Sequence, residues 1–425
     1  MPDWSVRLSE LAAEIGVPGA VLGIWVDGEQ TVVPYGVLSR ATGVEVTADS
    51  VFQVGSVTKT YTATMIMQLA AEGRFGLDDR VVKLLPEASI DERITVRQLL
   101  THTSGIDGDV FTDTGRGDDC VERYVGLLAT VDQLFAPGTA YSYCNAGFVL
   151  LGRIIEVLDG RSWDESLRAR LIEPLGLQST VTLPEEAILH RAAVGHLGTD
   201  GSPVTTWQLP RSLGPAALIT QSAGDLLRYA QLHLEDESLA SMLEPQIAYP
   251  GGRGGATDIG LTWRLFNWSG RRIHGHDGET ISQLAFLRID PEARLAFCLL
   301  TNSAKAPALF EALATEVFTQ YAGVGVPPAP QPADVEVGDE HLGRYERASV
   351  AIEVLRRDGK LILAYQATGD RLAFAEEPVR EYELRPTEPL DGNHFVARDD
   401  PAQPWTPVSF TPTYVFTAGR VTPRV

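Results

Sequence analysis

Ser56 and Lys59 stand three residues apart in VFQVGSVTKTYTA, where a helical pattern begins. One helical turn points both side chains the same way, so the lysine amine can take the proton of the serine hydroxyl and free it as a nucleophile. The start of that helix adds main-chain N–H groups where negative charge would develop. The plainer reading makes Ser56 a helix cap. Against it, the chain holds only four lysines, Lys59, Lys83, Lys305 and Lys360, and Lys59 is the one that opens an apolar helix. Tyr143 and Asn145 form a second group, two apart in PGTAYSYCNAGFVLLG, just before another helical run. In extended backbone both face one side. A phenol there can relay a proton, and an amide can hold a lysine and a substrate carbonyl; the plainer reading is a packed ring and a cap. The third group lies in RRIHGHDGETISQLAFLRID, with His276 and Gly278 on or beside a strand and Glu279 behind the glycine. Gly278 permits close approach of a second backbone, and the strand edge can then offer the Glu279 N–H. His274, His276 and Asp277 could also be read as metal ligands. That reading needs a further convergent ligand, and no Cys/His or Glu/His spacing supplies one, so neither metal nor cofactor is expected.

These groups need elements to hold them. Val6, Leu8, Leu11, Ala12 and Ile15 recur at near-helical spacing and predict an amphipathic helix over 4–15. AVLGIWVDGEQTVVPYG reads as a hairpin around Asp27-Gly28. Helices are expected from Ser56 to Glu72, in ITVRQLLTH capped by Thr95, in AGFVLLGRIIEVLDG, in WDESLRARLIEPLG, and in SAGDLLRYAQLHL after Ser222. LTWRLF, RRIHGH, ISQLAFLRI and ARLAFCLLTN read as strands, and a last long helix as about Ala306–Tyr321. Strands at both ends with helices between them predict one mixed α/β domain, 1–322, whose antiparallel sheet is assembled from both chain ends. Residues 323–340 carry four prolines at 327–332 and read as a semi-rigid linker. Beyond it ASVAIEVLRRDGKLILAYQ, DRLAFAEE, YELRPTE, HFVARD, PVSFTPT and YVFTAGRV are short strands with no helical stretch. They predict a small antiparallel β-barrel or sandwich over 341–425.

Composition narrows the function. The 425 residues include 35 basic and 56 acidic ones, a net charge of −21, which repels phosphate backbones and disfavours nucleic acid as a partner. Cys120, Cys144 and Cys298 are odd in number without paired spacing, as for reduced thiols in the cytoplasm. No apolar h-region opens the chain and no apolar run approaches 18 residues, so neither secretion nor a membrane is expected.

As an ordered set, SVTK (56–59), YCN (143–145) and HDG (276–278) resemble the three motifs of the penicillin-recognising serine hydrolases. The branch most resembled holds class C beta-lactamases, D-alanyl-D-alanine carboxypeptidases, D-aminopeptidases and beta-lactamase-like esterases. VPGAVLGIWVDG (17–28), ITVRQLLTHTSGI (94–106), LIEPLGL (171–177) and GPAALITQSAGDLLRYA (214–230) extend the resemblance over about 5–320. HLGRY (341–345) and TAGRV (417–421) resemble the lipocalin-like domain of some intracellular members.

The resemblance implies a beta-lactamase/transpeptidase-like fold and an acyl-enzyme mechanism. Ser56 would attack a carbonyl, and Lys59, held by Asn145, would accept its proton. The oxyanion would sit between the N–H groups of Ser56 and Glu279, with Tyr143 as base or relay. His276 stands where typical class C enzymes have lysine. It is expected to position a substrate carboxylate or the Tyr143 hydroxyl and to titrate near pH 6.5. Asp277 and Arg420 are expected to bind substrate, Arg420 as a clamp on a carboxylate; the alternative for Arg420 is a solvated edge-strand charge. The implied partner is a small-molecule or peptide acyl substrate, with an esterase or D-amino-acid-type peptidase as the activity. A stand-alone peptide cyclase acting on a carrier-bound peptidyl thioester is the alternative, because water and amine would use the same residues. A binding-only protein is disfavoured by the intact motifs.

Overall fold

The run GAVLGIWV forms the strand Gly19–Val26, and Asp27-Gly28, both at positive φ, turn it back into Glu29–Gly36. Its other neighbour comes from far along the chain: Leu295–Thr301 pairs with it antiparallel, from Ala20↔Thr301 to Val26↔Leu295. Leu284–Asp290, Arg271–Glu279, Arg264–Trp268, Ala256–Ile259 and Ile247–Ala248 follow in order and complete an eight-stranded sheet. Both chain ends therefore build it, as the order of elements in the sequence implies. The computed structural model describes residues 2–373, 375, 377–398 and 405–425.

Strand periodicity gives this sheet two apolar faces. Val21, Leu287, Ile289, Cys298 and Leu300 point into the helical layer, while Leu22, Ile24, Phe286, Phe297 and Leu299 point at the terminal helices Trp4–Ile15 and Ala306–Ala322. The first of these is capped by Asp3 and ended by left-handed Gly16; it buries Trp4, Leu8, Leu11 and Ala12, but Val6, counted on its apolar face from the sequence, is exposed.

At the centre of the helical layer lies Thr58–Ala71, preceded by the 3-10 turn Gly55–Val57. It is buried from Thr58 through Ile66, on all sides, so the one-faced pattern read from its sequence understates its burial. Its small and hydroxylated residues make that possible: Thr60 and Thr64 bond within the helix, and Thr62 bonds to the Pro215 carbonyl. Asn145–Asp159, Ala223–Glu235 and short helices at Val96–Leu100 and Trp163–Leu167 surround it. Thr95 with Gln98, and Ser162 with Glu165, form reciprocal capping boxes.

The C-terminal part is an eight-stranded antiparallel meander in sequential order, nearly closed into a barrel where Tyr345 bridges to Arg424. Its first strand, Gly343–Arg347, was not apparent in the sequence. DRLAFAEE, expected as a strand, instead contains the 3-10 turn Gly369–Ala373, so the region is not wholly free of helix; Phe374 and Glu376 lie outside the described residues. The proline-rich segment runs along the barrel, with Ala333 donating to the Pro386 carbonyl and Thr387 to that of Gln331. Among the described residues no helix is long and apolar enough to cross a membrane.

Candidate active site

The turn before the central helix and the end of the strand Arg271–Glu279 meet backbone to backbone. Gly55 has φ +51, and a methyl group built on it would lie 2.5 Å from the Glu279 nitrogen. One built on Gly278 would lie 1.8 Å from the Val54 carbonyl oxygen and 3.0 Å from the Ser56 nitrogen. Only glycines allow this approach, which brings the amides of Ser56 and Glu279 together. Between buried Gly55 and Val57, Ser56 keeps partial exposure, as a nucleophile requires.

Lys59, one turn on, is fully buried. Its amine lies 3.1 Å from the Ser56 hydroxyl and donates to the Ala216 carbonyl at 2.8 Å. Burial foremost, then the Arg420 guanidinium, lower its proton affinity well below that of an ordinary lysine; Asp109 and Cys144 oppose this and Arg264 adds to it. The amine is thereby suited to accept a proton.

The loop carrying Tyr143 ends where the helix Asn145–Asp159 begins. The Lys59 amine sits 4.7 Å from the centre of the Tyr143 ring. Burial pushes the phenol up to about 12, while the nearby Ser56 hydroxyl pulls the other way. At neutral pH Tyr143 is therefore a neutral phenol, suited to relay a proton and not to serve as a standing base. Asn145 departs from the expected arrangement. Its amide donates to Asp109 at 3.1 Å, and the lysine is held by the Ala216 carbonyl instead. Nor is Asn145 the helix cap: Cys144 fills that position and accepts from the Gly147 N–H through its sulfur.

The alternation of the strand Arg271–Glu279 separates the HDG residues. His276 and Gly278 face the helical layer and Ser56, while Asp277 faces the terminal helices. There it accepts from Arg264 and from Arg288, each at 2.7 Å, so it is an ion-pair partner on the far face and not a substrate ligand. The same alternation rules out the His274–His276–Asp277 metal reading, and His274 packs edge-on against Trp263. His276 is buried, and its Nδ1 contacts the Asp277 carbonyl at 2.6 Å, which fixes the proton on Nδ1. Burial, then Arg264 and Lys59, hold its pKa well below 6.5, so the titration expected near that pH does not belong to this residue.

Arg420 reaches this site from the last strand of the barrel, Arg420–Pro423. Its guanidinium lies 5.0 Å from the centre of the Tyr143 ring, and the Tyr143 N–H donates to the Gly419 carbonyl at 2.9 Å. It is neither a solvated edge charge nor an open clamp, because it grips Asp109 with Nε–Oδ2 at 2.7 Å and Nη2–Oδ1 at 2.9 Å.

Two participants escaped the sequence reading. Asp109, with its carboxylate fully buried, also meets Arg347 at 3.0 Å and Arg371 at 3.5 Å. Burial would raise its pKa, but Arg420, Arg347 and Arg371 prevail and hold it low. His102 stacks on the Tyr143 ring at 4.3 Å and accepts the Cys144 N–H through Nδ1. It lies in ITVRQLLTHTSGI, and its φ of +56 marks an unusual backbone position that no local pattern announces.

Comparison with known proteins agrees with this geometry. Penicillin-binding protein 4 of Amycolatopsis lactamdurans is 43% identical over 370 residues, 81% of this chain and 97% of that protein. The solved structure of SurE superposes with a TM-score of 0.81 at 29% identity, covering 99% of this chain and 98% of SurE, and SurE has also been solved with D-Leu. The D-amino acid amidase of Ochrobactrum anthropi SV3 shares the fold over 70% of this chain and 90% of its own, with a TM-score of 0.62 and 23% identity. The beta-lactamase family matches residues 7–321, which hold the Ser56 turn, the tyrosine loop and the HDG strand. The chain belongs to that family, and is a serine-hydrolase-type enzyme of the beta-lactamase and penicillin-binding-protein superfamily acting on amide, peptide or ester bonds.

Proposed function

We propose that the enzyme is an esterase or D-amino-acid-type peptidase that works through an acyl-enzyme on Ser56. The observation that carries this reading is the buried Lys59 amine, 3.1 Å from the Ser56 hydroxyl. Ser56 Oγ attacks the substrate carbonyl while its proton passes to Lys59, which the Ala216 carbonyl holds in place. The N–H groups of Ser56 and Glu279, brought together by Gly55 and Gly278, take the developing oxyanion. The Tyr143 phenol hands a proton to the leaving group and recovers one from the second nucleophile. His276 stays neutral and shapes the site beside Tyr143, their ring centres 6.3 Å apart. The D-Leu seen with SurE supports a D-configured residue at the acyl or leaving position. The domain division is 1–322, a linker over 323–340, and a lipocalin-like barrel over 341–425. The buried, unpaired Cys120, Cys144 and Cys298 support a cytoplasmic location.

A second reading, a stand-alone cyclase, is favoured by one observation. The likeness to SurE runs through the barrel as well as the hydrolase part, and the stand-alone cyclases that the sequence resembles carry a lipocalin-like tail of this kind. Matched D- and L-amino-acyl esters, with and without an added amine, test both readings. Faster turnover of the D-ester to free acid supports the peptidase or esterase; amide product at millimolar amine supports the cyclase. No turnover of any ester, with the chain folded, contradicts both.

A further inference from the structure

Asp109 lies on residues 107–115, a stretch without regular secondary structure, yet its carboxylate is fully buried. A carboxylate so placed must be paired, and its partners come from two sources. Three are arginines of the barrel: Arg347 from its first strand, Arg371 from a turn, and Arg420 from its last strand. The fourth is the amide of Asn145, from the YCN motif. Docking alone does not call for such a cluster. Buried ion pairs add little net stability, and Tyr141, Ile259, Phe416 and Val421 already form an apolar seam between barrel and hydrolase part. Two further hydrogen bonds pin the barrel's last hairpin to the tyrosine loop: Tyr143 N–H to the Gly419 carbonyl, and Val421 N–H to the Ser142 hydroxyl at 3.2 Å. The ring of Tyr143 then has the Lys59 amine at 4.7 Å and the Arg420 guanidinium at 5.0 Å.

We propose that Asp109 is a positioning residue of the acyl-transfer site, seating Arg420 beside Tyr143 and orienting Asn145, so that the barrel is part of the catalytic machinery. This deepens the reading of Ser56 as nucleophile and rests on it. A second cation packed on the same Tyr143 ring opposes the protonation of Lys59, and Asp109 both places that cation and moderates its effect. The other titratable and polar groups around the amine are Ser56, Tyr143, Cys144, His102 and His276, and the charge of Arg264, paired with Asp277 on the far face of the sheet, also acts on it.

The test is the pH dependence of Ser56 acylation by a neutral activated ester, in single turnover on the full chain, followed by intact mass. The rate rises with pH as Lys59 loses its proton. Arg420→Gln should move this rise to higher pH, lowering the rate at least ~3-fold at one pH unit below the wild-type midpoint; a profile moved by a whole pH unit would lower it about tenfold there. Arg420→Lys should leave it in place while lowering the plateau. With Asn at 109 the Arg420 guanidinium loses its seat, so adding Arg420→Gln to Asp109→Asn should move the profile no further. A displacement by Arg420→Gln that vanishes in the Asp109→Asn background supports the proposal, whatever happens to the melting temperature. Should Arg420→Gln fail to fold, Arg420→Ala read in both backgrounds carries the same comparison. A profile that Arg420→Gln leaves unmoved, or moves equally in both backgrounds, overturns the proposal while wild-type acylation stands. A folded wild-type chain that takes no acyl group at Ser56 overturns the nucleophile and this proposal with it.

Discussion

Lys59 owes its chemistry to burial. An exposed amine would be almost wholly protonated at neutral pH, whereas this one has lost its hydration and feels the positive charges of Arg420 and Arg264. Its place beside Ser56 was legible in the sequence, because lysine is rare in this chain and this one stands one turn from the serine. Its anchor was not legible, because the Ala216 carbonyl is distant in sequence and any residue could supply a carbonyl. Asn145 misled for a related reason: the two-residue spacing set its neighbourhood, but the acid it contacts lies 36 positions away. Tyr143 carries the prediction at this scale. Tyr143→Phe removes one hydroxyl and little volume, and should slow turnover by about 100-fold with acyl-enzyme accumulating, since deacylation loses its proton relay. Rapid-quench mass spectrometry measures the accumulation. Wild-type turnover without build-up would make the tyrosine a packing residue.

At the scale of elements, the site depends on one strand end and one turn. The helices and main strands could be read from apolar spacing and caps, with Thr95 and Ser222 marking starts that the structure keeps. The short outer strands Ala256–Ile259 and Ile247–Ala248 could not, because they are two to four residues long and lie at the sheet edge. The strand Arg271–Glu279 was recognised, but the sides its residues take were missed at Asp277, where period-2 alternation sends the carboxylate to Arg264 and Arg288. Gly278→Ala tests the meeting of strand and turn. Its methyl would fall 1.8 Å from a backbone oxygen, which has no rotamer to yield, so strand and turn must part and the oxyanion donors with them. The expected result is a loss of at least ~100-fold in acylation with a lowered melting temperature, measured by stopped-flow kinetics and calorimetry. Wild-type acylation in this variant would remove the Glu279 amide from the mechanism.

In the whole molecule, both halves of the chain meet at the tyrosine loop. The barrel was foreseen from its strand pattern and proline-rich approach; Arg420, at the end of an apolar run, was singled out as a carboxylate clamp or an edge charge, and the structure pairs it with Asp109 instead. Its partner Asp109 could not be foreseen, because an acid in a loop carries no sign of the arginines that fold onto it from more than 200 residues away. Burial on this scale also sets the response to pH. His102, His233, His274 and His276 all have pKa values pushed far below 6.5 by burial, so the unfolded chain binds protons there that the native one refuses. Glu156, raised to about 7, opposes this, with Asp107 and Asp225 in the same sense. The lowered imidazoles, with Lys59 and His196 in the same sense, outnumber these acids, so the unfolded chain takes up protons and stability should fall as pH drops from about 6.5 to 4.5. Urea midpoints across that range check this, and a flat profile would contradict the buried neutral imidazoles. The central claim is the covalent intermediate, and intact-mass analysis of the full chain mixed with a D-amino-acyl activated ester tests it most directly. The account predicts one added acyl group, mapped to the peptide containing Ser56 and absent in Ser56→Ala, whose circular dichroism and melting match wild type. A folded wild-type chain that turns the ester over while the Ser56→Ala variant keeps most of that activity would contradict it.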